Sequence, residues 1–143
     1  MPPDGKNCTG RCYCGAIKIE TDALPLTVVY CHCQDCRRLT GAPVAAFAAF
    51  SASAVNLVPM PDTARPVNSG VTRRFCPDCG TPLWAEFDYF PGQAFVPLGI
   101  LDQAADLPPE LHCHADNRLP WLHIDDAGQQ VAGSARNSIG LGR

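Results

Sequence analysis

Three cysteines fall within six residues at Cys31, Cys33 and Cys36, in the run Cys-His-Cys-Gln-Asp-Cys, and no packing requirement explains that density. A buried free cysteine behaves as a small apolar side chain. Three of them at offsets of two and three are instead what a soft metal ion asks for. Two further pairs lie elsewhere in the chain, Cys12/Cys14 and Cys76/Cys79, while Cys8 and Cys113 stand alone. Nine cysteines are an odd number, and residues 1–8 (Met-Pro-Pro-Asp-Gly-Lys-Asn-Cys) lack the apolar segment of an export signal. A reducing, cytoplasmic setting disfavours disulfides. Metal binding is the expected use of the thiols, and Cys8 and Cys113 are expected to be free.

Seven clustered cysteines do not divide into closed four-sulfur sites. Joining Cys12 and Cys14 to Cys76 and Cys79 completes a structural tetrahedron and leaves Cys31, Cys33 and Cys36 with an open position, the catalytic kind of site. Either pair with Cys33 and Cys36 would also close a site, stranding Cys31 and the other pair. We favour the four-plus-three division because every cluster then has a role, which makes two ions per chain. Spacing alone does not choose between zinc and iron. Four thiolates around a divalent ion carry a charge of −2 and three carry −1. The electron-rich three-sulfur centre should prefer a soft fourth ligand, an external thiol held as a nucleophile. Arg37 and Arg38 could offset its charge or hold a carboxylate of that thiol, or equally form a solvated turn.

At 143 residues the chain suits one domain. Its 14 prolines and 12 glycines break it into short elements, which points to a mainly β, loop-rich fold. Strands are expected over Ala16–Glu20, Leu26–Tyr30, Val55–Val58, Leu83–Phe87 and Ala94–Leu98. Thr72–Phe75 runs into the Cys-x-x-Cys at Cys76. The wholly apolar run Val44–Phe50 fits either a strand or a helix by periodicity, and its length and flanking proline favour a strand. Arg37–Gly41 reads as a short turn or single helical turn, and Pro59–Gly70, with three prolines, as a loop. Residues 126–143 read as a tail, disordered or docked on a partner, following a domain over 1–125. Net charge is −3 and the basic residues form only short pairs, so no nucleic-acid surface is expected. No apolar run reaches a membrane span, and the chain reads as cytoplasmic.

Gly-x-Cys12-x-Cys14-Gly15, Cys31-His-Cys33-x-x-Cys36-Arg37, Phe75-Cys76-x-x-Cys79-Gly80 and Leu98-Gly-x-Leu-Asp102, with His112 and Pro120-Trp121, resemble the glutathione-dependent formaldehyde-activating enzyme family, related to centromere protein V. The resemblance covers about residues 8 to 125. It implies an Mss4-like fold, small antiparallel sheets around a structural zinc, with Cys12, Cys14, Cys76 and Cys79 as structural ligands and Cys31, Cys33 and Cys36 as catalytic ones. It also implies a carbon-sulfur lyase that adds glutathione to formaldehyde, giving S-hydroxymethylglutathione. The partners would then be a small-molecule thiol and a small carbonyl compound. A zinc-stabilised binding or scaffold domain is the competing class.

Other polar residues have both a functional and an ordinary reading. His32 should point away from the ion that Cys31 and Cys33 face, with a role as ligand or proton shuttle the lesser reading. His112 and His114 share a face if their segment is a strand, with Cys113 on the other; they could approach the open metal position, and a satisfied surface or core pair is the favoured reading. Asp102 and Glu86 are candidate general acids for the alkoxide. Trp84, Trp121 and the phenylalanines are expected in the core.

Overall fold

A computed structural model describes residues 7–62, 64–68, 70–125 and 128–133. The architecture is mainly β, with two sheets and one short helix, as an Mss4-like fold requires. Strands β1 (Thr9–Arg11), β2 (Lys18–Thr21) and β5 (Val55–Val58) form a three-stranded antiparallel sheet in the order β1-β2-β5. The larger sheet uses β3 (Thr27–Cys31), β4 (Ala45–Ser51), β6 (Arg65–Asn68), β7 (Val71–Phe75), β8 (Pro82–Phe87), β9 (Gln93–Pro97), β10 (Leu111–Cys113) and β11 (Gln129–Gln130). Its order is β11-β10-β3-β4-β9-β8-β7-β6. Only β10 pairs in parallel, with β3 on one side and β11 on the other; the remaining pairs are antiparallel. Helix α1 (Gln34–Thr40) interrupts the path from β3 to β4.

The apolar run at β4 is a strand buried on both faces, which is why it shows no polar alternation. Ala48 and Phe50 enter one core, with Ile19 and Leu57 of the small sheet and with Ile17, Cys8, Cys12 and Cys76. Ala45, Phe47 and Ala49 enter a second core with Cys36, Phe90, Phe95 and Cys113. The other central strands divide in the same way: Ala94 and Val96 of β9 belong to the first core, and Phe95 to the second. The large sheet is thus a partition with a different group of cysteines on each face.

Three expectations need correction. Arg65–Asn68 is a strand, not loop, and pairs with β7. It lies at the sheet edge, where Pro66 removes no necessary ladder bond. The turn after Cys36 is longer than expected, because Cys33 caps a seven-residue helix, its sulfur accepting from the Cys36 N–H at 3.3 Å, and Gly41 ends it in a left-handed conformation. Trp121 is 64% exposed, in a segment after Pro120 that neither sheet covers, whereas Trp84 is buried. Of the tail expected over 126–143, residues 126–127 and 134–143 lie outside the described residues, as does the N-terminal stretch 1–6. Residues 129–130 extend the sheet as β11, and Arg118 donates to Gln130 Oε1 at 2.8 Å.

Candidate metal centres

Two loops built alike bring the first four thiols together. In each, the first cysteine N–H donates to the carbonyl five residues on: Cys12 to Ile17 at 3.0 Å and Cys76 to Thr81 at 2.9 Å. In each the same cysteine's carbonyl accepts from a left-handed glycine, Gly15 at 3.1 Å and Gly80 at 2.8 Å. Such turns are open to glycine without steric cost. The loops are tied to each other by Tyr13 N–H donating to Thr81 Oγ1 at 3.0 Å. The Cys12, Cys14, Cys76 and Cys79 sulfurs all lie within 4.8 Å of one another. Cys12 and Cys14 sulfurs are 3.6 Å apart and Cys14 and Cys76 3.8 Å apart. A tetrahedral ion with metal–sulfur bonds of about 2.3 Å sets an edge of about 3.8 Å, so the donor set fits zinc.

Across the sheet, Cys31 at the end of β3, Cys33 at the helix cap and Cys36 in the first helical turn bring their sulfurs within 4.8 Å of one another. Hydrogen bonding from Cys31, then Cys36, draws the Cys33 thiol down to about 2, whereas donation to Cys33 drives Cys31 far above its ordinary range. Only thiolates bind a metal ion, so an ion on these three sulfurs would displace their remaining protons. These sulfurs form one wall of a cavity of about 160 Å3. Phe47, Phe87, Phe90 and Phe95 supply apolar walls, and Arg73, Tyr89, Asp35 and His114 the polar ones.

Arg73 is the charged residue that the sequence reading missed. It is buried, with Nη2 3.9 Å from Cys36 Sγ and its guanidinium 5.6 Å from the centre of the Phe87 ring. The available signal was its place between Val71 and Phe75 on the inward face of an alternating strand. Arg37 and Arg38 line a separate open groove with Gln34 and Leu119, in line with the solvated-turn reading and not with a role at this centre. Tyr89 was also missed. Burial, and then the three thiols, push its phenol up to about 12, so it keeps its proton.

The histidines separate. His32 Nε2 lies 2.9 Å from His112 Nδ1, with the rings stacked at 13° and both side chains buried. Tyr30 packs on His112, and Arg118 Nη2 reaches its Nδ1 at 3.3 Å. Neither His32 nor His112 lines the cavity. Strand alternation would place His114 with His112, but a left-handed backbone at His114 (φ 53°) ends β10 and brings this side chain to the cavity beside Cys113. Cys113 is in register with Cys31, and burial, then Cys36 and Cys33, push its thiol up to about 12. None of the nine cysteines forms a disulfide, and Cys8 sits in the first core, apart from both groups. The two candidate acids are used elsewhere. Asp102 Oδ2 accepts from Thr9 Oγ1 at 2.7 Å, and Glu86 Oε1 accepts from Trp84 Nε1 at 2.6 Å.

No helix is long and apolar enough to cross a membrane among the described residues. Comparison with curated proteins found no match. A crystal structure of a Rhodobacter sphaeroides protein is similar, with a TM-score of 0.55 and 26% identity, over 66% of this chain and 87% of that one. The model of the family described as glutathione-dependent formaldehyde-activating enzyme matches residues 7–117, a stretch that contains both cysteine groups and the cavity between α1 and β10. The chain belongs to the glutathione-dependent formaldehyde-activating enzyme family.

Proposed function

We propose that the protein is a zinc-dependent carbon-sulfur lyase acting on a thiol adduct, of the type that adds glutathione to formaldehyde. It works in the cytoplasm as a unit spanning 1–125, with Cys12, Cys14, Cys76 and Cys79 holding a structural zinc and Cys31, Cys33 and Cys36 a catalytic one. The observation that carries this reading is the convergence of three thiols on the wall of a largely apolar cavity. A purely structural site is closed and needs no such space. When bound there, zinc supplies a soft Lewis-acid centre suited to a thiolate.

The residues around it divide the remaining work. Phe87, Phe90 and Phe95 keep the space apolar, which limits competing hydration of a small carbonyl compound. Arg73 offsets the negative charge of the thiols. The addition forms one carbon–sulfur bond, opens the carbonyl π bond and moves one proton from sulfur to oxygen; no group leaves. His114 takes the thiol proton and Tyr89 donates to the new alkoxide, with solvent restoring both. The reverse reaction breaks the carbon–sulfur bond and is the lyase direction.

The test is exchange spectroscopy of formaldehyde and glutathione by NMR, with and without zinc-loaded protein. Wild type should speed formation of the hydroxymethyl adduct beyond the spontaneous rate. Cys33→Ser should remove that acceleration while retaining the wild-type circular dichroism spectrum. Acceleration that survives in Cys33→Ser, or none in wild type, would sink the reading.

A further inference from the structure

Among the described residues His114 alone has a positive φ without being glycine; it sits in the left-handed region at φ 53° and ψ 42°. That conformation crowds Cβ against the backbone, and a residue keeps it only where its surroundings hold it there. The bend matters to the site. An extended His114 would follow the alternation of β10 to the face of His112, away from the cavity that it lines with the three sulfurs.

What holds the bend is a segment later in the chain. Residues 128–133 run along the outer side of β10, with β11 as the edge of the large sheet. His114 N–H donates to the Gly133 carbonyl and Ala115 N–H to the Val131 carbonyl, both at 2.8 Å, so both amides at the bend are satisfied from this segment. In the other direction Val131 N–H donates to the His112 carbonyl at 2.9 Å and Gln129 N–H to the Glu110 carbonyl at 3.2 Å. Arg118 Nη2 fastens the segment from the side, 2.8 Å from Gln130 Oε1 and 3.3 Å from His112 Nδ1. Val131 packs against the second core, the one that contains Cys36 and Cys113, while Gln129 and Gln130 are exposed. A two-residue edge strand with one apolar anchor is a small unit, and such units open locally while the rest of a fold stays closed.

We propose that residues 128–133 are a positioning strap, whose docking on β10 through Val131 turns His114 into the thiol cavity and whose release turns it out. The proposal rests on the role given above to His114 as acceptor of the thiol proton, and it extends the working unit beyond residue 125. Val131 is a positioning residue: it acts through His114 and touches no reactant.

NMR of the full chain with cobalt in the three-cysteine group tests this without turnover. In wild type the paramagnetic ion should shift the His114 ring protons. Val131→Asp, which puts a charge on the apolar anchor, should lose that shift with the circular dichroism spectrum kept, and Val131→Ile should retain it. In zinc-loaded protein, Val131→Asp should lower kcat for adduct formation about 100-fold, as far as His114→Gln does, with little change in KM. Added to His114→Gln it should cost nothing more. Hydrogen exchange on wild type needs neither a variant nor cobalt, and decides the matter if Val131→Asp fails to fold. The amides of His114 and Ala115 should open together with those of Gln129 and Val131, and more readily than that of His32, which donates to the Cys113 carbonyl within the sheet. An unshifted His114 ring in wild type, a shift that survives in Val131→Asp, or bend amides that exchange independently of Val131 would overturn the proposal. A Val131→Asp protein that loses the shift yet forms adduct at the wild-type rate keeps the strap and removes His114 from the lyase reading.

Discussion

Arg73 shows how one buried side chain sets the electrostatics of a site made of thiols. Its guanidinium lies beside Cys36 and is screened from water by Phe87, so its attraction to the sulfurs is little weakened by solvent. Removing it leaves the negative charge of the thiols uncompensated in a buried place. Arg73→Met should therefore cost the zinc-loaded protein about 3 kcal/mol in urea denaturation, with Arg73→Lys recovering part of the loss. A variant as stable as wild type would show that the charge is balanced by something else. Tyr89 is separable from this role, because it touches the reaction and not the resting charge. Tyr89→Phe should lower kcat about 100-fold with little change in KM or stability. An unchanged kcat would remove the phenol from the mechanism.

Between the two sheets, β1 is the element with least room. A Cβ on Gly10 would collide with the carbonyl of Ile100, and Gly10 bridges Leu101 in antiparallel fashion. On either side Asp102 N–H donates to the Thr9 carbonyl at 2.8 Å, and the Thr9 hydroxyl to the Asp102 carboxylate. Gly10→Ala must push the strands apart and should cost about 1–3 kcal/mol, as overpacking does, read as a lower urea midpoint. No change in midpoint would mean that the bridge is not needed. In the sequence the segment Leu98–Asp102 reads as a family motif with Asp102 as a candidate general acid; in the structure Leu101 and Asp102 form this clamp instead. Most strands were legible because alternation and turn residues are local signals. The edge strand at Arg65–Asn68 was not, since a proline hides a strand whose partner lies on one side only. Nor was the position of His114, because alternation predicts the wrong face once a left-handed residue ends the strand.

At the scale of the molecule, the large sheet keeps the cysteine groups in separate cores, and this sets the order in which metal should be lost. The grouping of thiols was readable from counting, since clusters of two, three and two allow few divisions. The placement of the groups on opposite faces was not, because it depends on strand order that no local pattern encodes. The four-cysteine group joins the loop after β1 to the loop after β7, so an ion there ties the small sheet to the large one. Such structural ions contribute roughly 10–16 kcal/mol of apparent binding energy. The three-cysteine group joins β3 only to the helix that follows it and offers one ligand fewer, so an ion there is held by fewer bonds and holds less of the fold, even though the exposed thiol, Cys14, belongs to the four-cysteine group. Titration with a chelator at neutral pH should remove the first equivalent of zinc with the circular dichroism spectrum intact, and adduct formation should cease at that point. The second equivalent should leave together with the fold, and Cys76→Ser should reproduce that later state. Unfolding that accompanies the first equivalent would mean that the three-cysteine group is as structural as the four. The cavity beside it would then need an explanation other than catalysis.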